Sequence, residues 1–167
     1  MKKVIILFLL LSCITTNAQL QRSILGNSLG VSKKSQVIQN MRNKGNKVTI
    51  VDVNIIRVDD VNFGGNKWGC VFFRFYKGIL YYARFQDSEY DTSRETLDIT
   101  WKNLRSSLKK KYYLEIITDQ DEELRFDDDR TIISADYSYF EGYKGIGLAY
   151  YDKKLFLMNI QSNDDEL

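Results

Sequence analysis

The chemistry open to this chain is bounded first by what it lacks. It contains no histidine, which removes Ser-His-Asp and Cys-His arrangements and every histidine-ligated metal site. Cys70 therefore has no base to activate it, and it reads as a small buried hydrophobe. Neither G-x-x-x-x-G-K-[ST] nor G-x-G-x-x-G occurs, and Gly142, Gly145 and Gly147 are spaced too loosely for a phosphate cradle. The acidic runs at 119–123 and 127–129 have the oxygen-rich character that calcium favours. Counted from Asp119, however, Leu124 stands where an EF-hand needs its glycine and Arg130 where it needs a bidentate glutamate, so both runs read as solvated turns. A carboxylate pair of the glycosidase kind would have to face across a cleft, which spacing alone does not show. The expectation is a noncatalytic protein without metal or cofactor.

What remains is the chemistry of binding. Of the eleven tyrosines, Tyr81, Tyr82, Tyr112, Tyr113, Tyr137, Tyr139, Tyr143, Tyr150 and Tyr151 fall on or beside predicted strands. Rings on an exposed sheet face could hold a peptide, a partner protein or a sugar, because tyrosine offers large area at little entropy cost and keeps its hydroxyl wet. Trp68, Arg74, Tyr81, Tyr82 and Arg84 are the candidate binding residues. The competing reading makes them ordinary half-buried sheet residues.

The elements that must position them centre on residues 61–85, which read as three antiparallel strands joined by tight turns at Gly64-Gly65-Asn66 and Tyr76-Lys77-Gly78. Val71, Phe73 and Phe75 alternate with Cys70, Phe72, Arg74 and Tyr76, so one face should pack on a helix and the other should carry Arg74, Arg84 and tyrosines near water. Residues 19–30 read as a mobile polar lead-in. A first helix follows, with Ser32 as N-cap, Val37, Ile38 and Met41 inward, and Gly45 as its stop. Residues 47–60 read as strand with a bulge or turn near 52–54. Thr92-Ser93-Arg94-Glu95 matches a capping box for a second helix, and Leu97, Trp101, Leu104 and Leu108 share its inward face. Lys109, Lys110 and Lys111 suit its C-terminal dipole. Further strands are expected at 112–118, 124–126, 131–139, 147–151 and 155–161. The fold class is α+β, two helices packed on an antiparallel sheet. As an option it is a tandem helix-then-meander duplication, with halves 30–86 and 92–161 suggested by aligning Phe75-Tyr76-Lys77 with Tyr151-Asp152-Lys153.

Residues 1–18 have two lysines, an apolar run from Val4 to Leu11 and a Thr16-Asn17-Ala18 ending, which is the pattern of a secretory signal peptide too short for a membrane span. One domain, residues 19–167, would follow. The alternative is a lipobox at Leu10-Leu11-Ser12-Cys13, with Cys13 lipidated. Cleavage after Ala18 removes two of the 24 basic residues and balances the rest against 22 acidic ones, which argues against a nucleic-acid partner. It also leaves Cys70 alone, without an intramolecular disulfide. The expected place is the periplasm or outer envelope of a Gram-negative bacterium.

The run from Leu29 to Gly45, then V-N-F-G-G-N-K-W-G-C-V-F-F-R-F, then an amphipathic helix ending L-K-K-K-Y, resembles uncharacterised exported proteins of gut-type Gram-negative bacteria. More remotely, the helix-then-meander order is similar to the β-lactamase-inhibitor-protein-like and small outer-membrane-assembly lipoprotein (BamE-like) folds. That resemblance implies a module that binds other proteins, with an envelope protein as partner. The alternative is a small-ligand or glycan binder using the aromatic sheet face.

Overall fold

A computed structural model describes residues 19–88, 92–140 and 142–164; the signal segment and Cys13 lie outside them. The chain opens with a small hairpin, β1 (Ser23–Ile24) and β2 (Asn27–Ser28), followed by helix α1 (Lys34–Asn43). A meander follows, comprising β3 (Val48–Ile50), β4 (Ile55–Phe63), β5 (Asn66–Tyr76) and β6 (Ile79–Ser88). Helix α2 (Arg94–Tyr112) runs through a 3-10 turn, Tyr113–Glu115, into a second meander. Its strands are β7 (Ile116–Asp119), β8 (Glu123–Asp127), β9 (Thr131–Phe140) and β10 (Tyr143–Asp152), and helix α3 (Lys153–Asp164) comes last. Both meanders belong to one 8-stranded sheet of order β3-β4-β5-β6-β10-β9-β8-β7, antiparallel throughout and joined where β6 pairs with β10.

The predicted central strands form as their alternation requires. Both hairpin loops use paired left-handed residues, Gly64 (φ 62°) with Gly65 (φ 80°) and Lys77 (φ 48°) with Gly78 (φ 77°), the twist that two-residue loops need. Two irregularities then decide which residues reach the core. Val58 and Val61 both lie in it, which strict alternation forbids; the left-handed Asp60 between them (φ 51°) supplies the offset. Leu80 and Ala83 do the same across a register shift between Arg74 and Phe75.

Helices α1 and α2 cover one face. Val37 and Met41 of α1, and Leu97, Trp101, Leu104 and Leu108 of α2, join Phe73, Phe85, Ile133 and Leu148 in a single core. Burying each large apolar side chain contributes about 2 kcal/mol. The cap positions shift by a residue from expectation. Lys33, not Ser32, precedes α1, its N–H donating to Gln36 Oε1 at 2.9 Å, while Ser93 caps α2 by accepting the Thr96 N–H at 3.3 Å.

Two helices on a sheet is too few for the described chain. The stretch expected as a final strand, 155–161, lies within α3. Its run L-F-L-M has neither clean period, so a short apolar stretch of this kind is ambiguous by pattern. What settles it is Asp152, whose Oδ1 accepts the Leu155 N–H at 2.9 Å and starts the helix. Leu155 and Phe156 then pack on Tyr81, Tyr82 and Ala149, a second cluster on the sheet face opposite α1 and α2. The fold is therefore α+β with α-helices on both faces of the sheet. The helix-then-meander order appears twice, α1 with β3–β6 and α2 with β7–β10, but the aligned segments do not correspond, because Phe75-Tyr76-Lys77 rounds the β5–β6 turn whereas Tyr151-Asp152-Lys153 passes from β10 into α3. The strand expected from 112 begins only at Ile116, since α2 runs through Tyr112.

The lead-in is tied down rather than mobile. Leu20, Ile24 and Leu29 are buried, and the Leu20 N–H donates to Asp128 Oδ2 at 2.9 Å. Arg22 pairs with Asp152 and donates to the carbonyls of Leu29 (2.9 Å) and Arg130 (2.8 Å) and to Thr131 Oγ1 (2.9 Å). No described helix is long and apolar enough to cross a membrane.

Candidate functional site

The five residues singled out from the sequence do not form one open face. Trp68 is buried in the core under α1 and α2; its Nε1 donates to the Phe63 carbonyl at 3.1 Å and its ring lies 5.5 Å from Phe85. The other four sit on or beside the opposite face, where α3 lies. Tyr82 and Tyr81 are buried there, with Tyr82 4.8 Å from Tyr151, which in turn lies 5.0 Å from Phe156 of α3. Arg74 stays exposed and lies over the Tyr82 ring at 5.1 Å. Arg84 reaches across β10 to Asp136 at 2.9 Å. Burial, reinforced by neighbouring Tyr151, pushes the Tyr82 phenol up to about 12. This array is a seat for α3, with Arg74 as its exposed rim.

The acidic runs are also engaged. Asp119 is held by Arg105 at 2.5 Å and Lys109 at 2.6 Å, and those hydrogen bonds lower its pKa. Asp128 accepts the N–H groups of Leu20, Arg130 (2.8 Å) and Thr131 (2.6 Å), closing the β8–β9 turn.

A polar groove of about 990 Å³ lies elsewhere, between the loop after α1, the ends of β4–β6 and the first turns of α2. Local rules build it. Gly45 (φ 81°) ends α1 and turns the chain toward β3. The Ser93 cap fixes the phase of α2, so that Leu97 and Trp101 face the core while Thr96 and Thr100, four apart, line the groove. Its charges are mixed in sign. Arg57 meets Asp59 at 2.6 Å, Lys67 meets Asp60 at 3.5 Å, and the Thr92 hydroxyl donates to Asp87 at 3.0 Å. Such a lining can hydrogen-bond a polar chain, and it presents no activated nucleophile among the described residues. The sequence carried one sign of it, the Thr92, Thr96, Thr100 spacing beside the apolar stripe. The contribution of Lys47, Asp60 and Lys67 depends on loop geometry that periodicity does not encode.

Beside the groove stands the outermost hairpin. Ile50, Val51 and Val53 are 57%, 53% and 80% exposed, where β3 pairs only with Ile56, Arg57 and Val58 of β4. At the other sheet edge Tyr113, Leu114 and Ile117 are also exposed. The chain matches no protein-family model, no curated protein and no solved structure.

Proposed function

We propose that this is a noncatalytic, exported interaction module that binds a partner protein of the cell envelope through the β3–β4 edge and the groove beside it. The observation that carries the reading is Ile50 at the end of edge strand β3 with Val51 and Val53 in the turn that follows, large apolar residues held in water on the hairpin whose other end, at Lys47, Arg57 and Asp59, lines a groove of paired charges and threonine hydroxyls. An apolar centre with a polar surround is the composition of protein interfaces, and an exposed edge can accept a partner strand. The export part of the reading rests on the pattern in residues 1–18. A glycan held on the aromatic sheet is the weaker reading, because Tyr81 and Tyr82 lie under α3.

The test is cross-linking of the tagged chain in the envelope of a Gram-negative host, followed by identification of what co-purifies. The wild-type chain is expected to recover a stoichiometric protein partner, and the I50D/V53D double variant is expected to lose it with the fold intact by circular dichroism. Equal recovery with both chains would remove this edge from the interface, and substrate turnover abolished by one carboxylate substitution would overturn the noncatalytic reading.

A further inference from the structure

A second cavity, of about 460 Å³, lies between the C-terminal half of α2, the β4–β5 turn and β10. Its lining joins apolar side chains, Phe63, Leu104, Leu108 and Leu148, to two tyrosines, Tyr112 and Tyr150. Both tyrosines are almost wholly buried, at 2% and 3% exposure. The Tyr112 hydroxyl has no hydrogen-bond partner. The Tyr150 phenol beside it is raised above its usual range by burial and then by Tyr112. Buried hydroxyls are nearly always satisfied, and the Tyr112 hydroxyl, left open beside the cavity with Tyr150 next to it, is a donor without its acceptor. At the rim the exposed Lys111 ammonium donates to the neutral Gln21 Oε1 at 3.1 Å and lies over the Tyr112 ring at 4.9 Å. Among the described residues it has no acidic partner.

We propose that this cavity binds a small amphipathic carboxylate, an aliphatic acid whose chain lies on Phe63, Leu104, Leu108 and Leu148 and whose oxygens accept from Tyr112 and Tyr150 with Lys111 supplying the countercharge. The volume falls in the range of small-molecule sites, and an apolar body with a few convergent donors is their usual lining. The site is separate from the β3–β4 edge, so its test does not depend on the interaction reading.

The experiment is calorimetric titration of the purified chain with sodium decanoate and, in parallel, with decanol, both below their aggregation limits. Saturable one-to-one binding of decanoate is expected, at least tenfold weaker in the Y112F/Y150F double variant. That variant keeps the rings in place and should fold. K111M should narrow the preference for decanoate over decanol. Absence of saturable decanoate binding, or unchanged affinity in the double variant, would overturn the site. Decanol binding as tightly as decanoate to the wild-type chain would overturn its preference for an acid.

Discussion

Between Arg84 and Asp136 the sheet has room for a hydrogen atom and little more. Gly147 occupies that gap on β10, and a Cβ there would run into the Arg84 guanidinium and the Asp136 carboxylate. Gly147→Ala is therefore expected to cost about 1–3 kcal/mol by overpacking, read as a fall in the urea midpoint at constant slope. An unchanged midpoint would mean that the ion pair moves aside freely. The tyrosines around it give a second prediction. Tyr82 titrates near 12 in the folded chain against an ordinary value of 10.0. A group whose folded pKa is raised gives stability that is complete below its unfolded value and is lost as pH climbs through the folded one. Two units correspond to roughly 2–3 kcal/mol, so stability should fall between pH 10 and 12. Tyr82→Phe should flatten that fall, and denaturant melts across the window would show it. At this scale the sequence was legible in parity but not in depth. Alternation puts Arg74, Tyr82 and Arg84 on one side, yet nothing in residues 70–86 says that a helix seventy residues later lies over it.

α3 is the element that the sequence hid, and Asp152 explains both its existence and its importance. One carboxylate oxygen takes the Leu155 N–H and the other pairs with Arg22. A single side chain thus starts the last helix and anchors the N-terminal hairpin, and Gly30 is where a Cβ would collide with that pair. Asp152→Ala should remove a cap, at about 0.5–2 kcal/mol, and leave the half-buried Arg22, still donating to the Leu29 and Arg130 carbonyls and to Thr131 Oγ1, without its countercharge, at about 1–3 kcal/mol. Asp152→Asn keeps a competent cap and loses only the charge. The difference between the two variants in chemical denaturation should therefore match the cap alone, and equal losses would show that Asp152 does not cap α3. Asp152-Lys153-Lys154, between the strands expected at 147–151 and 155–161, satisfies turn chemistry as well as helix-start chemistry. The choice falls to packing, since Leu155 and Phe156 find Tyr81, Tyr82 and Ala149 only in the finished sheet. By contrast α2 was readable throughout its inward stripe, because four apolar residues at spacings of four, three and four admit one period only.

The whole molecule depends on one seam. Each meander pairs only neighbours in sequence, and the two become a single sheet through β6 and β10, where Ala83 meets Tyr150 and Phe85 meets Leu148. Strand period, turn residues and amphipathic helices are all local signals, which is why both meanders could be outlined from the chain and their junction could not. The groove and the apolar edge are in the same position, since each is made by where elements end. The core is continuous across the seam, with Phe73 and Phe85 from one side and Ile133 and Leu148 from the other in one cluster. Unfolding should accordingly be a single cooperative event, although the second-to-second dynamics need not be uniform. Hydrogen exchange is expected to be slowest in β5, β6, β9 and β10, whose amides lie between two paired neighbours or beside the seam. It should be fastest in β3 and β7, the short outer strands that carry Ile50 and Ile117 in water. Ala83→Asp, a charge placed at a fully buried seam position, should then collapse protection in both meanders together, because an unpaired buried charge is not tolerated on either side. If β7–β10 kept their protection in that variant, the second meander would be a unit that folds without the first, and the seam would be a contact between two domains.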